Sequence, residues 1–457
     1  MKGIKIDFSN VFKPNVNSGV TEEEVKNYEQ KISGILKEIS ENKPGFLDLP
    51  FNRKWIDSVL DIKNWVQSFE NVVVLGIGGS ALGNTALQTA LNPLNYNAIS
   101  KEDRKTPKIF IVDNVDPDFV SGIFEQIDPK KTLFNVISKS GTTAEAMANY
   151  LIARGFIDNY GLSPRKHFLF TTDPENGILR KIAIEENIRT LDIPQNVGGR
   201  FSVLTPVGLL SALAGGIDII DLYNGAKDMY EKVISDKIFE NPAALNAVIH
   251  HIFYEKGYNI SIMMSYSNKL SFLSDWYCQL WAESLGKKTD LEGKEINVGQ
   301  TPIRAVGATD QHSQVQLYNE GPYDKIITLL KLENFKREVK IPVIHSEVDE
   351  LKYLGGKKLS DLLNTELLGT EYALVEHGRP NLKIIFPESN PYNIGQFLIM
   401  YEMQTAIMGS LLNIDPYNQP GVELGKKVTY ALMGREGYEK FADEVKMKIA
   451  DKKQIIL

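Results

Sequence analysis

The sequence predicts an α/β fold built from two α/β/α sandwich domains with parallel sheets. Short apolar runs alternate with helix-like stretches in two separate series along the 457-residue chain. Such runs are typical of strands that helices cover on both faces of a parallel sheet. The length also exceeds that of one simple core and favours two or three domains. The predicted divisions are an N-terminal helical segment at 1–50, a first domain at 51–215, a helical connection at 216–250, a second domain at 251–411 and a C-terminal helical segment at 412–457.

The first fifty residues are polar and have a helix-like pattern. Thr21 and Glu24 have the spacing of a capping box, so we expect a helix to begin directly after Thr21. The stretch from 205 to 250 is also mainly helical. Apolar runs predict strands of the first sheet at 72–75, 108–113, 133–138 and 167–172, and strands of the second sheet at 259–264, 301–306, 324–330 and 382–386.

The composition excludes several classes of protein. A net charge of −7 argues against general nucleic-acid binding, so any phosphate site is expected to be a local pocket. Cys278 is the only cysteine, which excludes an internal disulfide and a thiolate metal cage. The first residues carry no apolar signal region, and no stretch has the length of a membrane span. The expected location is therefore the cytoplasm.

The first predicted strand ends in a glycine-rich turn. Gly76, Gly78 and Ala81 fit the relaxed form of the dinucleotide-binding fingerprint, so a nicotinamide cofactor is one interpretation. That interpretation requires an acidic residue at the next strand end to hold the ribose, and the stretch at 94–99 has none. Gly79 and Ser80 instead favour a tight turn that presents backbone amides to a ligand.

A loop rich in hydroxyl groups follows the strand predicted at 133–138. The segment 138–143 carries four Ser or Thr hydroxyls, one lysine and one glycine, and it leads into a helix. Free backbone N–H groups and the helix dipole favour an anion at such a position. Simple helix capping is the alternative, but one hydroxyl suffices for a cap. The pattern therefore favours a phosphate cradle.

A carboxylate and an amide lie on one face of an otherwise apolar helix. Gln279 and Glu283 are four residues apart, so both side chains are expected on the same side of the helix. A shielded, fixed carboxylate is what a base needs in order to remove a proton from carbon. A surface salt bridge is the alternative interpretation, and the spacing alone does not decide between the two.

Three further residues are candidates for charge stabilisation and proton transfer. Arg200 follows two glycines, which favours close approach of a ligand over a purely structural ion pair. His312 follows a strand and a glycine turn, where a histidine is by itself more often a capping or surface group. Lys426, judged by its helix alone, is a surface residue. No histidine spacing typical of a metal site is present.

Two segments more than two hundred residues apart resemble the signatures of the glucose-6-phosphate isomerase family. They are residues 196–202 and 417–426, and the similarity extends from about residue 45 to residue 440. The resemblance implies two unequal domains of the sugar-isomerase (SIS) type. It also implies interconversion of glucose 6-phosphate and fructose 6-phosphate in glycolysis and gluconeogenesis, by ring opening and a cis-enediolate, without a cofactor or a metal.

The resemblance also implies a role for individual residues. Glu283 matches the family's base, Arg200 its stabilising cation, and Lys426 a lysine near the ring oxygen. His312 matches the ring-opening histidine, which in this family comes from the partner subunit, so a homodimer is expected. Lys139 is expected to act chiefly through its backbone. The residues expected to bind substrate are Gly79, Ser80, Ser138, Lys139, Ser140, Thr143, Gly199, Gln279 and Gln419.

Two alternatives remain open, together with one departure from the family pattern. A sugar-phosphate-binding regulator with the same fold would lack turnover, although every expected catalytic position is filled. A dual phosphoglucose/phosphomannose isomerase would use the same groups with more room at C2. Pro420 stands where many relatives carry tryptophan, and we expect local reshaping there without loss of activity.

Overall fold

The computed structural model describes residues 3–457, which form two five-stranded sheets and one two-stranded sheet. The two larger sheets are parallel except for one edge strand. Helices precede, separate and follow the two sheets. The predicted α/β class with two parallel sheets is confirmed.

The N-terminal segment contains helices, as predicted, and also a strand that was not predicted. The capping box of Thr21 and Glu24 is present, with Glu24 N–H donating to Thr21 Oγ1 at 3.1 Å. The unpredicted strand pairs with the second sheet, more than 370 residues further along the chain. The elements are β1 (Lys5–Asp7), α1 (Glu22–Lys26), α2 (Glu29–Glu41), α3 (Arg53–Leu60) and α4 (Lys63–Gln67).

The first sheet has five parallel strands, four of which were predicted. Its strand order is β3-β2-β4-β5-β6, and all residues of β2, β4 and β5 are buried. The elements are β2 (Asn71–Leu75), α5 (Leu82–Leu91), α6 (Lys101–Arg104), β3 (Lys108–Val112), α7 (Pro117–Phe124), β4 (Thr132–Ile137), α8 (Ala144–Asn159), α9 (Pro164–His167), β5 (Phe168–Thr172), α10 (Ile178–Glu186) and β6 (Arg189–Asp192).

Three helices connect the sheets, in the stretch predicted to be helical. They are α11 (Pro206–Ala214), α12 (Ile219–Val233) and α13 (Pro242–Glu255), and α11 is buried along its whole length. Most of their buried apolar side chains belong to one core cluster that also contains residues of both large sheets. The helical layer therefore joins the two sheets.

The second sheet has the strand order β1-β12-β11-β7-β10, in which only β1 is antiparallel to its neighbour. All four predicted strands are present. The elements are β7 (Ile260–Ser265), α14 (Ser271–Leu285), β8 (Lys287–Thr289), β9 (Glu295–Val298), β10 (Thr301–Val306), α15 (Val315–Glu320), β11 (Lys325–Asn334), α16 (Asp349–Lys352), α17 (Leu359–Glu376), β12 (Asn381–Glu388) and α18 (Pro391–Leu411).

Helix α18 crosses α12 at very short range because both helices carry a glycine at the crossing. A Cβ atom on Gly225 would lie 1.8 Å from Tyr392 O, and one on Gly395 would lie 2.0 Å from Leu222 O. The chain ends with two further helices, α19 (Glu423–Leu432) and α20 (Glu439–Ala450). Among the helices of residues 3–457, none combines the length and the apolar character needed to cross a membrane.

Candidate active site

Arg200 lies at the centre of the candidate site, on a single 3₁₀ turn, Gly199–Phe201. Its side chain is buried, and it donates to Ser284 Oγ at 2.7 Å, Gln419 Oε1 at 2.8 Å and Glu283 Oε2 at 3.3 Å. Its remaining contacts are the backbone carbonyls of residues 416 and 418. Burial lowers the pKa of Arg200, and the carboxylate of Glu283 opposes that shift. The arginine thus joins the 196–202 segment to α14 and to the loop before α19.

Glu283 is held from both sides by site residues. Gln279, one turn earlier on α14, donates from Nε2 to Glu283 Oε1 at 3.0 Å. The other carboxylate oxygen accepts from Arg200. The Glu283 side chain keeps 36 % of its exposure, so part of it is accessible to a ligand. The ion pair considered from the sequence is therefore present, but its cation is buried among groups expected to bind substrate.

Lys287 is a further member of the site that sequence analysis did not single out. Its Nζ donates to the backbone carbonyl of Glu283 at 2.7 Å and to that of Asn418 at 3.0 Å. Burial, and then the charge of Arg200, lower the pKa of Lys287 to about 8. The available signal was its position four residues after Glu283, the residue that matches the family's base.

The glycine-rich turn after β2 lies close to this site because glycines allow the backbones to approach. A Cβ atom on Gly79 would lie 2.3 Å from the carbonyl carbon of Gly199, so the two backbones touch. Gly78 has φ +56°, and its Cβ position lies 3.2 Å from Gln279 Nε2. Ser80 ends the same turn and is half-buried. Residues predicted from three separate segments are thereby brought together.

The hydroxyl-rich loop forms a compact turn between β4 and α8. The Gly141 N–H donates to Ser138 Oγ at 3.1 Å, and the Thr142 N–H donates to Ser140 Oγ at 3.2 Å. Thr143 occupies the N-cap position of α8, but its side chain does not cap the helix and instead lies 3.3 Å from Ser138 Oγ. The loop hydroxyls are therefore gathered together and not spent on capping, as a cradle for an anion requires.

Lys139 connects this loop to the arginine segment. Its Nζ donates to the carbonyls of Gln195 at 2.6 Å and Val197 at 3.2 Å. Burial lowers the pKa of Lys139, against the opposing charge of Asp173. With its ammonium group occupied in this way, Lys139 positions the loop close to the turn that carries Arg200.

The structure does not bring His312 or Lys426 into contact with these residues. His312 ends the exposed 3₁₀ turn Thr309–His312, which Asp310 stabilises by accepting from Val306 N–H at 2.7 Å. Lys426 points to solvent on α19 and pairs with Glu423 at 2.8 Å. Helix α19 nevertheless reaches the hydroxyl-rich loop, because Tyr430 donates to Thr142 O at 3.1 Å.

Within residues 3–457, no group of three or more His, Cys, Asp or Glu side chains is placed to hold a metal ion. The acid–base groups that the site does offer are a carboxylate, a guanidinium and a lysine. Together with a hydroxyl-rich loop at the end of a parallel strand, these are the kinds of group that a site of the sugar-phosphate isomerase class requires.

Comparison with known proteins specifies the family. A family model described as phosphoglucose isomerase matches residues 62–439. The chain is 45% identical to a glucose-6-phosphate isomerase of Carboxydothermus hydrogenoformans, covering 99% of each chain. It is 41% identical to a glucose-6-phosphate isomerase of Rubrobacter xylanophilus, covering 96% of this chain and 100% of the relative.

Solved structures agree with this comparison. A hypothetical protein of Thermus thermophilus superposes with a TM-score of 0.84 at 32% identity, covering 94% of this chain and 100% of that chain. A glucose-6-phosphate isomerase of Chlamydia trachomatis has the same fold, with a TM-score of 0.82 at 22% identity, covering 98% of this chain and 92% of that chain. The chain belongs to the phosphoglucose isomerase family. The predicted family, isomerase class and sugar-isomerase fold are confirmed.

Proposed function

We propose that this isomerase interconverts glucose 6-phosphate and fructose 6-phosphate at the site where Arg200, Glu283 and Gln279 meet. The observation that carries the assignment is the placement of Glu283, whose carboxylate lies between a buried guanidinium and an amide while part of the side chain stays accessible. A carbon acid needs a base that is fixed in position before the substrate arrives. Glu283 would take the proton from C2 and return it to C1.

Arg200 would stabilise the negative charge that develops on the enediolate oxygens. Its guanidinium is buried and preorganised by contacts from α14 and from the loop before α19. Such a cation acts more strongly in a dry site than in water. Gln419, which accepts from Arg200 at 2.8 Å, and Gly199, which lies against Gly79, would line the same side of the substrate.

The loop 138–143 would hold the phosphate group. Ser138, Ser140 and Thr143 contribute hydroxyls, and the start of α8 contributes backbone N–H groups. A phosphate fixed at one end of the sugar holds the reacting carbons against the base at the other end. Gly79 and Ser80 form a second turn at a neighbouring strand end, in contact with the Arg200 segment.

His312 and Lys426 would complete the site, His312 by opening the sugar ring and Lys426 by contacting the ring oxygen. We propose a homodimer in which His312 is donated by the partner subunit, a role compatible with its exposed turn. The approach of α19 to Thr142 supports a place for Lys426 near bound substrate. We also propose that the reaction needs no cofactor or metal and takes place in the cytoplasm.

Replacing Glu283 by glutamine tests the assignment, because glutamine keeps the size and polarity of the side chain but cannot accept the proton. We expect kcat to fall by about three decades or more, with KM within about threefold of wild type. Isomerisation should be measured in both directions, with mannose 6-phosphate as a competing substrate. Glu436→Gln, an exposed change elsewhere, serves as the matched control.

The same assay separates this proposal from a regulator without turnover. A regulator predicts no isomerisation by the wild-type chain at saturating substrate. If Glu283→Gln retained more than about a tenth of wild-type kcat, the role of general base would have to be reassigned.

A further inference from the structure

A cavity of about 660 Å³ lies outside the proposed isomerase site. It opens at the carboxyl ends of β11 and β12, between the end of α5 and the loop that precedes α12. None of the residues proposed for catalysis or substrate binding lines it. Its volume is within the usual range for small-molecule sites, and carboxyl ends of parallel strands are where ligands bind in open α/β sheets.

Three cationic side chains line this cavity. Lys269 lies half-buried on the turn Asn268–Leu270, and Lys336 and Arg337 follow the end of β11. The charged groups that act on Lys269 are those of Lys336 and Arg337, both of them positive. Burial, and then these two charges, lower the pKa of Lys269 to about 8. In a chain with a net charge of −7, this is a local concentration of positive charge that an anion would relieve.

The acidic residues of the lining have separate roles. Asp218 accepts from the N–H groups of Ile220 and Asp221 at 3.0 Å each, so its charge caps the start of α12. Glu388, at the end of β12, lies on the cavity wall together with the amides of Asn95 and Asn334. A carboxylate and two amides supply acceptors and donors for hydroxyl groups. The start of α18, which also lines the cavity, adds the positive end of a helix dipole.

We propose that this cavity binds a small phosphorylated metabolite that carries hydroxyl groups. Lys269, Lys336 and Arg337 bind the phosphate, while Glu388 and the neighbouring asparagines bind the hydroxyls. The site is separate from the isomerase site, and it does not depend on the roles assigned to Arg200 or Glu283. It gives the enzyme a second position at which a sugar-phosphate-like compound is recognised.

Lysine footprinting of the wild-type chain tests this proposal without any mutation. The protein is acetylated briefly with acetic anhydride, and labelling is measured by peptide mass spectrometry with glycerol 3-phosphate, inorganic phosphate or glycerol present. Glycerol 3-phosphate should slow the labelling of Lys269 and Lys336 by about threefold or more, because a bound lysine is protonated and shielded. Glycerol should have no effect, and exposed Lys63 should label equally in every arm.

Each outcome of the footprinting has a defined meaning. Equal labelling of Lys269 with and without saturating glycerol 3-phosphate overturns the proposal, even if calorimetry detects binding elsewhere. If inorganic phosphate protects Lys269 from acetylation as strongly as glycerol 3-phosphate does, the proposal that the cavity also binds hydroxyl groups is overturned.

Calorimetry on two variants gives a second test. Lys269→Ala should weaken binding of glycerol 3-phosphate at this site by about tenfold, whereas Lys269→Arg should stay within about threefold of wild type because it keeps the charge. Both variants should keep wild-type kcat for isomerisation and wild-type melting temperature, which shows that they are folded. Unchanged affinity in folded Lys269→Ala contradicts the proposed phosphate contact.

Discussion

Arg200 has five guanidinium N–H groups, and five oxygen atoms accept from its three nitrogens. The contacts to Ser284, Gln419 and the two backbone carbonyls are 3.1 Å or shorter, and the contact to Glu283 is the longest at 3.3 Å. A substrate oxygen that binds Arg200 therefore has to displace an existing acceptor. Displacing Glu283 would release the proposed base and free the cation in one exchange.

Lys287 positions this pair through the backbone, and its charge should limit activity at high pH. Because its pKa is lowered to about 8, Lys287 is charged below that pH and becomes neutral above it. Loss of the charge weakens its contacts with the carbonyls of Glu283 and Asn418. We expect the pH profile of kcat to fall with an apparent pKa near 8. Lys287→Met should lower kcat at pH 7 by about tenfold and remove that descending limb.

Two variants control the Lys287 experiment. Lys287→Arg should keep activity up to higher pH, since arginine stays charged. Exposed Lys288→Met should leave the profile unchanged. A descending limb near pH 8 that persists in Lys287→Met would show that another group produces it.

At the scale of elements, α18 is the most deeply buried long helix among those described, and it carries an acidic residue into the core. Glu402 on α18 is fully buried, and neither of its carboxylate oxygens has a hydrogen-bond partner within residues 3–457. Burial raises the pKa of Glu402 well above its usual value. Burial therefore favours the protonated form of this side chain in the folded enzyme.

Glu402→Gln should make the fold more stable at pH 8 but hardly change it near pH 4. Below the pKa that Glu402 has in the unfolded chain, its side chain is neutral in both the folded and the unfolded state. Ionisation then causes no difference in stability between the wild type and the variant. Above that pH, Glu402 ionises in the unfolded chain, which stabilises the unfolded state. The free energy of unfolding of the wild type therefore falls by about 1.4 kcal/mol for each pH unit, until the pH reaches the pKa of Glu402 in the folded state. Urea unfolding of both proteins at pH 4 and pH 8 measures this difference. An equal difference at both values would contradict a raised pKa.

The strands that the sequence predicted are those with a strong apolar signal. All eight predicted strands are present. Seven of them bury more than half of their residues, and burial on both faces produces continuous apolar runs, whereas the edge strand β10 buries only one residue of six. The strands that were missed lie at sheet edges or in the small sheet. β1 has three residues, none of them buried, and β6 buries one of four. These short segments form strands because they pair with neighbouring strands of the sheet. The sequence of one short segment contains no information about that pairing.

The site was predictable to a similar degree. Arg200, Gln419 and the pair Gln279 and Glu283 were proposed from three separate segments. In the structure Arg200 contacts Glu283 and Gln419, and Gln279 contacts Glu283. Lys287 was missed because its contacts are with backbone carbonyls, and such contacts leave no pattern of residue types. The roles of His312 and Lys426 stay predictions, since they depend on a partner subunit or on substrate.

At the scale of the whole molecule, the two sheets share one core and the proposed site has parts from both halves of the chain. Arg200 precedes the connecting helices, whereas Glu283 and Gln419 follow them. The apolar cluster that joins the sheets contains residues from α11 to α14 and from α18. The distance between Arg200 and Glu283 therefore depends on the packing of this helical layer.

Mixing two inactive variants tests whether the proposed dimer completes the site. If His312 is donated across an interface, combining His312→Ala with Glu283→Gln should restore activity. Each mixed dimer then contains one intact site, with Glu283 of one subunit beside the His312 supplied by the other. Random exchange makes half of the dimers mixed, so activity should approach about a quarter of wild type. Native mass spectrometry with one isotope-labelled variant confirms exchange, and exchange without recovered activity rejects a shared site.

The pairing of β1 with β12 has a consequence for solubility. β12 contains eight residues, five of which are buried, and β1 occupies its outer edge. An uncovered edge of this kind offers free N–H and C=O groups to any other extended chain. The three residues of β1 thus cover the edge of β12 and block pairing with another chain. Variants that detach them would leave catalytic groups intact but expose a template for edge-to-edge aggregation.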